Sequence, residues 1–134
     1  MPTPPAVLTA WHRLVEARDP GLLDELLDDD VVFRSPAVFA PQHGRAITAV
    51  YLSAALEVLG PTLRYQHEWF DEASAVLEFE ADLDGVLVQG VDLLRWNPAN
   101  RLTGFTVMAR PVRGLQELMV RMAPRIAAAQ QAAG

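Results

Sequence analysis

The stretch VLVQGVDLLRWNPANRLTGFTVMAR, residues 86–110, decides how this chain folds. It reads as two antiparallel strands, because β-branched and aromatic residues flank a cluster of turn formers at Asn97-Pro98-Ala99-Asn100. In the middle of the first strand stands Asp92, a lone carboxylate on an otherwise apolar face. Just upstream, Asp84-Gly85 between Leu83 and Val86 is a two-residue hairpin signal. That turn sets Ala81 opposite Val88, Phe79 opposite Gly90 and Leu77 opposite Asp92. The alternation agrees: Leu77, Phe79, Ala81 and Leu83 share a face with Val88, Gly90, Asp92, Leu94 and Trp96, while Glu78, Glu80 and Asp82 point away. With Asn100 left-handed in the next turn, Asp92 is expected opposite Thr106 and Gly90 opposite Met108. In the preceding strand Leu63, Tyr65, His67 and Trp69 share one parity. One sheet face is thus expected to collect aliphatic and aromatic side chains, with Asp92, His67 and Thr106 as its polar exceptions.

The flanking segments supply helices. Thr3-Pro4-Pro5 is a helix start with Thr3 as cap, and Val7, Trp11, Leu14 and Val15 follow at helical spacing. Asp19-Pro20 opens a short second helix with Leu22, Leu23, Leu26 and Leu27 on its buried stripe. Asp28-Asp29-Asp30 ends it as a solvated turn, and VVFRS, residues 31–35, is a strand. Residues 36–44 read as a loop. A third helix runs from about Arg45 to Leu59, with Ile47, Val50, Tyr51, Ala54 and Val58 on one stripe, and Gly60-Pro61 stops it. After Arg110-Pro111 a final helix carries Leu115, Leu118, Met119, Met122 and Ile126. Pro124 is expected to kink or fray it, leaving 127–134 as a frayed tail. Residues 1–134 thus form one α+β domain: three N-terminal helices packed on a strongly curved antiparallel sheet, with a C-terminal helix, in a cone-shaped barrel. Gly90 and Gly104 are the points where its backbone can bend or a ligand come close.

Composition removes several chemistries. The chain has 134 residues, enough for a single core, and a formal charge of −6, which disfavours nucleic acid as a partner. It has no cysteine and no lysine, all 11 basic residues being arginine. Thiol nucleophiles, Schiff bases and phosphate-loop lysines are therefore excluded. His12, His43 and His67 are scattered without metal-ligand spacing, and no glycine-rich nucleotide motif is present, so neither metal nor cofactor is expected. No apolar run is long enough for a membrane span and no secretory leader is seen, which sets a cytoplasmic expectation.

The candidate catalytic residues are Asp92 and His67. Asp92, once buried, would have its carboxyl pKa raised and could serve as a hydrogen-bond donor or a proton carrier. The expected pocket lining is aromatic, from Trp11, Phe33, Phe39, Tyr51, Tyr65, Trp69 and Phe79. The sheet face adds Leu77, Val88, Gly90, Leu94, Thr106 and Met108, and Ser35 lies at its edge. His43, Arg45 and Arg34 are placed near the mouth as solvated side chains. The other sheet face, with Leu87, Val91, Leu93, Phe105, Val107 and Ala109, is also apolar and needs a cover. That cover is either the C-terminal helix or a second copy, and a second copy, in an isologous homodimer, is the expected one.

The chain resembles the nuclear transport factor 2-like superfamily, in its SnoaL-like and ketosteroid isomerase-like branch, over residues 11–122. VDLLRWNPANRL is similar to the isomerase stretch bearing the acid that hydrogen-bonds the enolate, which puts Asp92 at that position. RSPAVFAPQHGRAI resembles the loop where the isomerases hold their aspartate base; Ser35 stands there instead. The oxyanion-hole tyrosine falls on Trp11. VMARP is closer to the broad SnoaL-like group. The resemblance implies a homodimer and an apolar cavity for a small hydrophobic or aromatic molecule. The classical isomerase mechanism is not expected. The function is either cofactor-independent isomerase, cyclase or dehydratase (lyase) chemistry using Asp92, or binding of such a molecule without reaction.

Overall fold

The computed structural model describes residues 2–133. Chain order is α1 (Ala6–Ala17), a 3-10 turn (Pro20–Leu22), α2 (Leu23–Leu26), β1 (Leu27–Arg34), β2 (Gln42–His43) and α3 (Arg45–Leu59), then β3 (Arg64–Phe70), β4 (Ser74–Leu83), β5 (Val86–Trp96), β6 (Leu102–Arg110) and α4 (Val112–Ala133). The six strands form one curved sheet, open at its edges, in the order β2-β1-β6-β5-β4-β3. It is antiparallel except where β1 runs parallel to β6, a pairing that local patterning does not reveal. Among the described residues no helix is long and apolar enough to cross a membrane.

The central hairpin folds as its turn dictates. Asp84 (φ 53°) and Gly85 (φ 94°) both take left-handed conformations, as a two-residue hairpin needs. Leu77 then pairs with Asp92, Phe79 with Gly90 and Ala81 with Val88. The buried faces of β4 and β5 pack into the two core clusters under the helices, one around Trp11, Phe33, Leu77, Leu94 and Phe105, the other around Phe79, Val88, Val58 and Leu118.

Two bulges change what the alternation implies. Asn100 is left-handed (φ 61°), as expected, and the Asn97 side chain accepts hydrogen bonds from the Ala99 and Arg101 amides. Trp96 pairs with Leu102, however, and Arg95 with Gly104, so Thr103 is an extra residue in β6. Asp92 therefore faces Val107, Gly90 faces Ala109, and Thr106 and Met108 turn to the outer face. A one-residue slip inverts every side chain beyond it. In β3, Tyr65 pairs with Phe79 but His67 with Glu78, so Gln66 is the extra residue. Tyr65 stays inside while His67 and Trp69 go outside.

The helical ends differ from expectation in physical detail. Thr3 does not cap α1; the Pro5 carbonyl accepts from the Leu8 and Thr9 amides instead. Strand β1 begins at Leu27, so the three aspartates lie in an irregular part of that strand rather than in a turn. Arg45 reaches back to pair with Asp24 and Asp29. In α3 Ala54 and Val58 are buried as expected, Thr48, Leu52, Leu56 and Leu59 are buried besides, and Ile47, Val50 and Tyr51 are half-buried. Helix α4 continues through Pro124 to Ala133, so 127–133 are helical rather than frayed, and Gly134 lies outside the described residues. Proline costs this helix one amide donor, at an exposed turn where water can replace it.

Candidate functional site

The site is built from three elements. β5 presents Asp92 on the inner face, opposite Leu77 of β4 and Val107 of β6. β3 contributes Tyr65, the last residue before its bulge, and α1 lays Trp11 across the same face. The Tyr65 hydroxyl donates to Asp92 Oδ2 at 2.6 Å, and Trp11 Nε1 donates to the Tyr65 oxygen at 2.9 Å. The indole can only donate, so this chain of bonds has a direction and ends on the carboxylate. Asp92 is 6% exposed, and its Oδ1 has no hydrogen-bond partner among the described residues.

These groups open on a cavity of about 220 Å³. Aromatic rings form its deep wall: Trp11 lies 5.0 Å from Phe105, Phe33 lies 5.2 Å from Tyr51, and Tyr65 meets Phe79 edge-on at 6.4 Å. Leu52, Ala55, Leu56 and Leu59 of α3 form one side. Leu115, Leu118, Met119, Met122, Ala123 and Ile126 of α4 form another. The rim is the segment 35–38, where the Ser35 Oγ accepts from the Ala37 amide at 3.0 Å.

Desolvation dominates the electrostatics. Burial raises the Asp92 carboxyl to about 7, against a smaller lowering by the Tyr65 hydrogen bond. Burial, then the neighbouring Asp92 charge, pushes the Tyr65 phenol well above its ordinary value, so it stays a donor. Among the described residues no three His, Cys, Asp or Glu side chains converge to hold a metal.

Trp11, Phe33, Ser35, Tyr51, Tyr65, Phe79 and Asp92 lie together on this cavity. Leu77, Val88 and Leu94 share the inner face but are packed into the core beneath it. Gly90 is covered by Phe79: a Cβ there would sit 2.7 Å from the ring and 2.2 Å from the Met108 carbonyl oxygen. Five residues stand elsewhere. His67 projects outward, 3.1 Å from Glu78 and stacked on Trp69. Thr106 and Met108 are on the outer face because of the Thr103 bulge, and Phe39 is fully exposed in its loop. His43 and Arg34 are also exposed. Missed by sequence reasoning were Phe105 and Val107, assigned to the wrong face, and the α4 wall. The α4 stripe was visible in the sequence, but nothing local says which layer it covers.

No protein-family model matches the sequence, and no curated protein matches it. Solved structures do. A steroid delta-isomerase from Pseudomonas aeruginosa superposes with a TM-score of 0.87 at 35% identity, over 94% of this chain and 93% of that one. The chain belongs to the nuclear transport factor 2-like superfamily. A Silicibacter pomeroyi protein described as having a cystatin-like fold matches at TM-score 0.86 and 25% identity, over 94% and 89% of the two chains. An NTF-2 like protein from Burkholderia xenovorans matches at 0.63 and 15%, over 77% and 79%, and shares the fold alone. For a nuclear transport factor 2-like domain the α+β cone and its helix-lined interior are the expected architecture.

Proposed function

We propose that the cavity binds one small, largely apolar molecule and that Asp92 orients it and exchanges a proton with it. The reaction class would be isomerase, cyclase or dehydratase chemistry without a cofactor. One observation carries this reading: a carboxyl group at the cavity wall, buried in apolar surroundings, hydrogen-bonded at one oxygen and unpartnered at the other. Such a group, held at about 7, is matched to proton transfer near neutral pH. Steroid delta-isomerase names the Pseudomonas protein's activity; the two-group mechanism of that family is not proposed here. Ser35 occupies the position that resemblance assigns to the base, and an unassisted hydroxyl is too weak a proton acceptor.

Non-catalytic binding is the second reading, favoured by the lack of another carboxylate or histidine on the cavity wall. Native mass spectrometry followed by denaturing extraction tests both, since it identifies any retained molecule. Turnover of that molecule by the protein, lost in Asp92→Asn, supports catalysis. Retention without turnover supports binding alone, and unchanged turnover in Asp92→Asn removes Asp92 from the mechanism.

We further propose a homodimer through the outer sheet face. With the bulges in place this face carries Trp69, Val76, Val91, Leu93 and Met108, with Trp69 and Met108 more than half exposed. Its β4 strand is acidic (Glu78, Glu80, Asp82), while β5, β6 and β1 contribute arginines toward the other side (Arg95, Arg110 and Arg34). A two-fold axis through the apolar stripe would set each acidic side against the partner's basic side.

A further inference from the structure

The three-residue hydrogen-bond chain at the cavity wall bears on the chemical class of the ligand. This step rests on the ligand-binding reading above and narrows it. Trp11 Nε1 can only donate, and it donates to Tyr65; Tyr65 has one proton, and it points to Asp92. The Trp11 and Tyr65 donors are thus committed to protein acceptors. What remains for a ligand beside this chain is Asp92 Oδ1, an acceptor once the carboxyl is ionised, with the Tyr51 and Ser35 hydroxyls as the other polar groups on the cavity.

Once it gives up its proton, a buried carboxyl also needs a counter-charge, because an unpaired charge in apolar surroundings is costly. The protein supplies none. The chain has no lysine, and no arginine or histidine lines the cavity. Asp92 is bonded by Tyr65 of β3, has Leu77 of β4 and Val107 of β6 as strand partners, and shares the cavity with Trp11 of α1, Tyr51 of α3 and apolar side chains of α4. Of these only the tyrosines titrate. The nearest α4 charges, Arg121 and Arg125, are turned outward onto Asp84, Glu117 and Glu57. His12 is edge-on to the Tyr65 ring but its Nε2 bonds Glu68 at 2.7 Å, outside the cavity. Around the carboxylate, meanwhile, stand aromatic rings, whose faces attract cations.

We infer that the cavity is built for a lipophilic amine, bound as its ammonium ion, with the N–H donating to Asp92 Oδ1 and the hydrocarbon part lying against the aromatic and α4 walls. A ketone or ester of the same size would find a donor at Asp92 only while the carboxyl keeps its proton, and it brings no charge to pair with the ionised form. The ammonium group completes the charge pair that the fold leaves open.

Calorimetric titration with N,N-dimethylcyclohexylamine and with methyl cyclohexyl ketone separates the cases. The amine stays protonated from pH 5.5 to 8, so its affinity follows the ionisation of Asp92. It should rise about tenfold per pH unit at the acid end and level off above about pH 7. The ketone should bind at least about tenfold more weakly at pH 7.5. Asp92→Asn, whose folding is checked by thermal unfolding, should lose at least about tenfold of amine affinity and all of its pH dependence. Ketone binding that exceeds amine binding across the range would overturn the amine assignment and leave the cavity reading standing. If neither compound binds, both the assignment and the cavity reading fall. The wild-type pH profile decides the matter even if Asp92→Asn does not fold.

Discussion

Asp92 governs the pH behaviour of the fold as well as the chemistry of the cavity. Its carboxyl is raised from the ordinary 3.8 to about 7, so the folded state holds this proton more tightly than the unfolded chain. Its contribution to stability is full below about pH 4, is lost as pH rises toward 7, and is constant above. The difference is of order 4 kcal/mol across that window. Urea unfolding between pH 4 and 8 should show this loss in the wild type and a flatter profile in Asp92→Asn. Tyr65→Phe acts on the same pair in the opposite sense. It removes the one hydrogen bond that lowers the Asp92 pKa, so the carboxyl should titrate at still higher pH by carbon-detected NMR. It also strands the Trp11 N–H, and a stability loss of about 1–3 kcal/mol is expected.

Among the elements, α4 supplies one whole wall of the cavity. It packs on α3 and on β4, β5 and β6, and six of its side chains form one wall. Gly114 makes this docking close: a Cβ there would stand 2.5 Å from the Leu87 carbonyl oxygen and 3.1 Å from Val88 Cα. Backbone cannot yield as a flexible side chain does. Gly114→Ala should therefore push the start of α4 off β5, increase hydrogen exchange in α4 and weaken any cavity ligand, although alanine is the better helix former. Unchanged exchange in α4 would mean that the strand gives way instead. The strands show how much of an element is legible locally. The β4–β5 register was readable because Asp84-Gly85 permits only a tight turn. The β6 and β3 faces were not, because Thr103 and Gln66 carry no mark that they are extra residues. A bulge forms where sheet curvature demands it, and curvature belongs to the whole sheet.

For the molecule as a whole, the outer sheet face is the feature that an isolated chain leaves unexplained. A standard interface of roughly 1,600 Å² in total would cover it. Met108 is 53% exposed at its centre, so Met108→Asp should fold normally yet shift sedimentation from dimer to monomer, by at least about tenfold in dissociation constant. A wild-type monomer at micromolar concentration would refute the dimer. The sequence by itself determined the α+β class, the central hairpin with Leu77 facing Asp92, the third helix, and the chemistry denied to a chain without cysteine or lysine. These follow from period-two alternation, a turn whose two residues need positive φ, and composition, all local properties. Only the tertiary structure decided that β1 lies parallel to β6, that His67, Trp69, Thr106 and Met108 face outward, and that α4 walls the cavity. It alone joined Trp11, Tyr65 and Asp92, which lie 54 and 27 residues apart along the chain, into one hydrogen-bonded line. Side chains so distant meet only after bulges and curvature have set the sheet's shape, and no local pattern encodes that.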